Sequence, residues 1–500
     1  MLPIITESTR NLCKSALYLV LTFATIKLSG SLHLYIRSLK MSSSSSSSSS
    51  STTDTETIRR NRILSTKLYF DIPSSKVPVI YSSAYNISFL GIEKLHPFDS
   101  SKWGRICQFL NLDGVLDKNC IVEPLEASKE DLLVVHSKTY LDSLKSSPNV
   151  AMIIEVPPVA LLPNLLVQKN VLYPFRRQVG GTILAAKLAK ERGWAINVGG
   201  GFHHCSADKG GGFCAYADIT LCIHYAFVRL NISRVMIIDL DAHQGNGHEK
   251  DFADDRRVYT LDMYNPGIYP FDYEAKRYID QKVEVVSGTT TDEYMKKLDE
   301  ALEVAKHKFD PELVIYNAGT DILDGDPLGM LKVSPDGIAI RDEKVFSFAR
   351  SRNIPLVMLT SGGYMKSSAR VIANSIINLS RKSLIDTGSS KVKFSKQLLQ
   401  LNTSSINISM PNSNMISIHL KNIGKIRDSD DELGLSTDRD SLPKWSNDHE
   451  SFNFLRGGGA ATSPPNLELT LSVPTTPMLN QNKKDYSSHA LLFEPIISVT

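Results

Sequence analysis

Ile237-Ile238-Asp239-Leu240-Asp241-Ala242-His243-Gln244-Gly245-Asn246-Gly247 decides how this chain is read. Val235 to Ile238 is apolar and β-branched, the composition of a buried strand. That strand runs into two carboxylates, an imidazole and two glycines. Asp241 and His243 are two residues apart, so in extended backbone their side chains leave on one face. A carboxylate and an imidazole on one face are two ligands for a divalent metal, and a catalytic site keeps a further position open. The competing reading is a structural Asp–His hydrogen bond on a loop.

Three more apolar runs end in the same way. Ala195-Ile196-Asn197-Val198 leads into Gly199-Gly200-Gly201-Phe202-His203-His204-Cys205, where two adjacent histidines suit proton transfer near neutral pH. A second glycine run, Gly210-Gly211-Gly212-Phe213-Cys214, follows closely, and two such turns, each with an aromatic, line a narrow slot. Leu313-Val314-Ile315-Tyr316-Asn317 leads to Ala318-Gly319-Thr320-Asp321, a third candidate ligand with Asp324 and Asp326 close behind. Pro355 to Thr360 leads to Ser361-Gly362-Gly363-Tyr364, where a tyrosine after two glycines reaches over a substrate or serves as a half-buried anchor.

Each candidate sits just past the carboxyl end of an expected strand, the edge at which open α/β sheets bind ligands. Expected strands at 195–198, 235–240, 258–262, 313–317 and 355–360 alternate with helical stretches at 181–192, 294–309, 343–352 and 367–380. The pattern predicts a three-layer α/β sandwich around a mainly parallel, doubly wound sheet. Irregular strand spacing argues against a closed barrel.

The ordered motifs Gly-Gly-Gly-Phe-His-His-Cys, Gly-Gly-Phe-Cys, Asp-Leu-Asp-Ala-His-Gln-Gly-Asn-Gly, Asn-Ala-Gly-Thr-Asp and Thr-Ser-Gly-Gly-Tyr resemble the zinc-dependent histone deacetylase family. Gln244, Lys94-Leu95-His96-Pro97-Phe98-Asp99 and Glu155-Val156-Pro157-Pro158 are similar to its class IV members. The resemblance spans roughly residues 75–385 and implies an arginase/deacetylase-like fold. It implies one zinc per chain on Asp241, His243 and Asp321, with His203 and His204 handling protons, Asp239 behind His203, and Tyr364 donating to the acyl oxygen. It makes Phe213 one wall of an acyl-lysine tunnel, with Gly212 and Gly363 beside the substrate. The other tunnel aromatic belongs to the loop Met263 to Pro270, where the sequence does not single it out. A structural potassium is implied near the Asp239–His243 strand, held by backbone carbonyls and Asp262.

Asn246 stands where many family members carry a carboxylate, so the partner of His204 is an amide. A neutral partner favours the neutral imidazole. Arginase-like relatives hold a second metal with an Asp-x-His-x-Asp pattern whose last position here is Gly245, which points to a mononuclear site. The implied substrates are acyl-lysine proteins, histones included, with a role in chromatin and transcriptional repression. Alternatives are a deacylase for long fatty chains, a small-molecule acylamine hydrolase, or a non-catalytic co-repressor scaffold.

Net charge is +3, so no strong electrostatic partner and no direct sequence-specific nucleic-acid binding is expected. Cys13, Cys107, Cys120, Cys205, Cys214 and Cys222 show no framework spacing, which suits reduced thiols in an intracellular compartment. Residues 1–60 read as a leader. Arg10, Lys14, Lys27, Arg37 and Lys40 with a short apolar run resemble an organelle transit peptide or membrane anchor, yet Met41 opens the serine run Ser42 to Ser51. The expected location is nucleus and cytoplasm, with organelle targeting by residues 1–40 as the alternative. Residues 61–386 form the expected catalytic domain. Residues 387–500 are rich in Ser, Asn and Asp and read as a disordered tail. Within it Leu467-Glu468-Leu469-Thr470-Leu471 resembles short leucine-rich segments that recruit co-repressors.

Overall fold

The computed structural model describes residues 50–88 and 99–388. The serine leader before residue 50, the segment 89–98, the expected tail after 388 and Leu467 to Leu471 lie outside the described residues. Helix α1, Ser50–Leu64, runs across the expected boundary at residue 61. Its last turn is tied down: Ile63 is fully buried, and Arg62 donates to Glu130 at 3.0 Å and to the Leu133 carbonyl at 3.2 Å.

Among the described residues seven strands form one sheet: β1 Val79–Ile80, β2 Trp194–Asn197, β3 Val235–Asp239, β4 Val258–Tyr264, β5 Gln281–Glu284, β6 Leu313–Asn317 and β7 Leu356–Leu359. Their order is β1-β2-β7-β6-β3-β4-β5, and every pairing is parallel. The expectation of a mainly parallel sheet thus holds for all seven strands. β2, β3, β6 and β7 are buried throughout, as their unbroken apolar runs require of a sheet covered on both faces.

The pleat divides the core in two. Ile196, Met236, Ile238, Val314, Tyr316 and Met358 point into one layer, filled by helices α2 Lys102–Leu112, α6 Thr291–Lys308, α7 Pro335–Arg350 and α8 Ser368–Arg381. Ala195, Val235, Ile237, Ile315, Val357 and Leu359 point into the other, filled by α3 Tyr173–Arg192 and α4 Asp218–Arg229. A short helix, α5 Asn246–Asp251, follows the decisive motif. A third cluster, including Phe175, Phe202, Tyr140 and Tyr216, supports the turn that carries the paired histidines.

The chain steps outward from β3 to β4 and β5, then returns with β6 to the opposite side of β3. That reversal opens a crevice at the carboxyl ends of β3 and β6. The loops after β2, β7, β6 and β3 lie side by side in the sheet, so all four glycine-containing motifs meet at one edge.

Candidate active site

Asp241 and His243 leave the end of β3, and Asp321 leaves the end of β6 across the crevice. Their ligand-type atoms lie within 4.8 Å of one another, and all three residues are buried. His243 Nδ1 faces both carboxylates, at 3.1 Å from Asp241 Oδ1 and 2.9 Å from Asp321 Oδ2. The outer oxygens are occupied. Asp241 Oδ2 accepts from Ser361 Oγ at 3.0 Å and from the Gly362 amide at 2.9 Å, and Asp321 Oδ1 accepts from the Ala242 amide at 2.9 Å. Second-layer donors therefore aim the remaining lone pairs at one point.

The electrostatics of the three groups fit a cation. Burial raises the Asp321 carboxyl to about 7, and Asp241 beside it adds to the rise. Burial opposes charge on His243, yet hydrogen bonds to Asp241 and Asp321 lift its imidazolium to about 10. Two carboxylates this close need a shared positive charge, supplied here by His243 and available from a divalent ion with release of protons.

The adjacent histidines have different partners. A carboxylate only accepts, so His203 Nδ1–H donates to Asp239 Oδ2, at 2.9 Å. The same oxygen accepts from His248 Nε2 at 2.8 Å. Oδ1 of Asp239 accepts from Asn317 Nδ2 at 3.0 Å, because the β3–β6 register sets Asn317 opposite Asp239. His204 Nδ1 lies 2.9 Å from Asn246 Oδ1. The charges separate accordingly. Burial pushes His203 down, but the carboxylates of Asp239 and Asp241 outweigh it and bring it to about 9. His204 falls well below the ordinary histidine range, first through burial and then through the positive charge of His203 and His243. One imidazole of the pair holds a proton firmly and the other is neutral, a division of labour suited to acid–base work.

Tyr364 follows β7, and its ring centroid is 6.1 Å from that of His243. Its backbone amide donates to Asp326 Oδ2 at 2.8 Å. Burial and the nearby Asp321 and Asp241 push its phenol well above the usual range, so the hydroxyl is a hydrogen-bond donor at neutral pH. The Gly362 turn before it permits no side chain, since a Cβ there would collide with the carboxylates of Asp241 and Asp321. Gly363 completes the bend beneath Tyr364.

Two aromatics flank the turn at Gly212, one from its own run and one from the loop after β4. Phe213, at φ 63, packs edge-on against Phe175 with centroids 5.3 Å apart. A second aromatic, Tyr269, comes from the loop after β4, its ring centroid 4.8 Å from that of His204 and 6.5 Å from that of His243. Gly212, at φ 52, lies against both His204 and Tyr269: a Cβ would come 2.6 Å from His204 Cδ2 and 2.9 Å from Tyr269 Cε1.

Several contributors carry no sequence motif. Asp218 accepts from the amides of Gly201 and Phe202 at 2.9 and 2.8 Å and so folds the glycine turn before His203. The buried Lys102 ammonium donates to the carbonyls of Ser361 and Gly362 from helix α2. Arg341, fully buried, donates to the Gly319 and Leu240 carbonyls beneath the crevice. Asp324 is exposed, whereas Asp326 is buried and orders the Tyr364 turn. The described cysteines, Cys107, Cys120, Cys205, Cys214 and Cys222, carry free thiols. Among the described residues no helix is long and apolar enough to cross a membrane.

The histone deacetylase domain matches residues 96–379. "Histone deacetylase 2" of Arabidopsis thaliana is 72% identical over 382 residues, covering 76% of this chain and 97% of that protein. "Histone deacetylase 8" of Xenopus tropicalis is 28% identical over 265 residues, covering 50% of this chain and 70% of that one. The crystal structure of the HDA15 HD domain shares the fold at a TM-score of 0.50 and 21% identity, covering 65% of this chain and 94% of that one. The family is zinc-dependent in general, and the set Asp241, His243 and Asp321 suits such an ion. The chain belongs to the histone deacetylase family.

Proposed function

We propose that the chain hydrolyses the amide of N6-acetyl-lysine in histones and other proteins, using one zinc ion held by Asp241, His243 and Asp321. The observation that carries this reading is the meeting of that ligand set, two differently partnered histidines and a buried phenol at one sheet edge. Bound there, zinc supplies a Lewis acid for the acyl oxygen and for the water that attacks it. Phe213 and Tyr269 hold the acyl-lysine stem between two aromatic walls and exclude bulk water. His204, neutral with Nδ1–H turned to Asn246, offers its Nε2 lone pair to take the proton of the attacking water. Tyr364 Oη–H donates to the acyl oxygen as negative charge develops on it. His203, held as imidazolium by Asp239, returns a proton to the leaving lysine amine.

A mononuclear site is supported by Gly245, which offers no side chain where a second metal would need one. A structural potassium is supported by Asp262. Its Oδ1 is buried without a hydrogen-bond partner, and burial with the adjacent Asp239 and Glu249 pushes its carboxyl up, a charge surplus that a cation offsets. Histone substrates would place the protein in nucleus and cytoplasm. Recruitment of co-repressors by Leu467 to Leu471 belongs to the same reading.

The test is hydrolysis of one lysine peptide carrying acyl chains of increasing length. Acetyl is expected to be turned over. Inertness toward every acyl chain, in protein with a full complement of zinc, would overturn the proposal.

A further inference from the structure

His204 needs one tautomer. With Nδ1 protonated, Nε2 keeps its lone pair and can receive a proton; with Nε2 protonated, it cannot. A carboxylate partner would enforce the first form, because it only accepts. Asn246 enforces neither, since its amide presents Oδ1 or Nδ2 after a simple rotation.

A second carboxylate settles the orientation. Asn246 Nδ2 lies 3.1 Å from Asp272 Oδ2. Asp272 sits on the loop that carries Tyr269. It is held in place by Lys250 Nζ at 2.7 Å and by the Ala275 amide at 3.2 Å, and its carbonyl accepts from Gln244 Nε2 at 3.3 Å. Burial works against its charge, but the hydrogen bonds from Lys250, Asn246 and Ala275 hold the carboxyl below the usual range. Being ionised, it can only accept, so Nδ2 must face it. Oδ1 must then face His204, and His204 must carry its proton on Nδ1. Rotating the amide would set Oδ1 against a carboxylate oxygen and lose the hydrogen bond to Asp272, even with His204 in its other tautomer accepting from Nδ2.

We propose that Asp272 is a positioning residue for the deacetylase reaction: through Asn246 it fixes the tautomer of His204, replacing at one remove the carboxylate that Asn246 lacks. The inference rests on the proposed reaction for its kinetic consequences but not for its structural one. Charge reaches His204 through a polarised amide rather than directly. The arrangement keeps the histidine's orientation while leaving its proton loosely held, and it ties that orientation to the seating of the Tyr269 loop.

The experiment compares Asp272→Ala with Asn246→Asp/Asp272→Ala, using the full chain loaded with zinc and an acetyl-lysine peptide. Asp272→Ala is expected to lower kcat about tenfold, part of the roughly 10²–10⁴-fold that a positioned acid–base group contributes. KM should change little. In the double variant a carboxylate accepts directly from His204, and kcat should return to within about threefold of the wild type, well inside that contribution. A purely structural role for Asp272 in anchoring the Tyr269 loop is not rescued by Asn246→Asp. In ¹⁵N-histidine spectra, taken with and without zinc, His204 should be the Nδ1–H tautomer in the wild type and the double variant, and a mixture in Asp272→Ala. An unchanged kcat and tautomer in Asp272→Ala, or a double variant no better than the single, would overturn the proposal. The tautomer is read even if the wild type proves inactive, so loss of the proposed reaction and loss of this inference remain separate results.

Discussion

Replacing Tyr364 by Phe removes a single oxygen from the crevice. The ring keeps its place against His243, and the backbone hydrogen bond to Asp326 is untouched. Loss of one hydroxyl hydrogen bond costs about 0.5–1.5 kcal/mol of stability, so the variant should fold and keep its metal. The effect on turnover is larger for a physical reason. The phenol is buried and its proton firmly held, so in the wild type it donates without waiting for solvent to reorganise. The charge it meets on the acyl oxygen exists only as the amide is attacked. Its removal should therefore reduce kcat by on the order of 10²–10³, about 2.7–4 kcal/mol, as for loss of one oxyanion donor, with KM nearly constant. The assay is steady-state release of acetate from an acetyl-lysine peptide, with thermal unfolding and zinc content measured on the same preparation. Turnover within about threefold of wild type, far short of that loss, would refute the role of Tyr364. A parallel loss of zinc would instead show that the phenol supports the site rather than the reaction.

Two further outcomes follow from other parts of the site. Gly362→Ala should fold but lose most of its zinc and activity, because the new methyl meets both Asp241 and Asp321; full metal content by elemental analysis would contradict the close approach assigned to this turn. His136, whose Nδ1–H donates to the Ala207 carbonyl at 2.9 Å and whose Nε2 accepts from the Ala217 amide at 3.0 Å, is pushed by burial down to about 4. Its folded pKa lies below the unfolded value of 6.5, so stability is fully present above pH 6.5 and is lost as pH falls toward 4, by about 3 kcal/mol if the whole shift is expressed. Urea unfolding at pH 7.5 and 4.5 should show the fall, and His136→Gln should lessen it; equal sensitivity in both proteins would exclude His136 as a source.

What the sequence discloses and what it conceals divide along physical lines. β2, β3, β4, β6 and β7 are legible as apolar, β-branched runs because both faces of the sheet are buried, and the residues that follow them are legible because glycines and titratable groups at strand ends are chemically conspicuous. β1 is only two residues long, and β5, Gln281–Glu284, is an edge strand with alternating exposure, so neither makes an apolar run. Helix α7 begins at Pro335, eight residues before the expected start at 343, because Ser334 caps it and proline suits its first turn. Helix α4 makes no clean apolar stripe in the sequence because its buried face includes Asp218 and Thr220, whose partners Thr182 and Asp251 lie far off in sequence. The same distance hides Lys102, Arg341 and Asp272, which act on the site through backbone carbonyls or an intervening amide. Of the two tyrosines in the expected loop 263–270, Tyr264 ends β4 and donates to Glu284 at 3.2 Å, whereas Tyr269 lies past the strand and reaches His204. Asp239, Asp241, His243, Asp321, His203, His204 and Tyr364 are brought together by the fold as the motif order implied.

The most direct test of the account is a zinc titration of the chelator-stripped full chain, followed by mass-spectrometric detection of deacetylated histone peptide. Activity should be absent without metal, rise in proportion to added zinc and level off at one ion per chain, with Asp241→Asn inert throughout. Full activity without any bound metal, or a plateau reached only at two ions per chain, would contradict a single ion held by Asp241, His243 and Asp321.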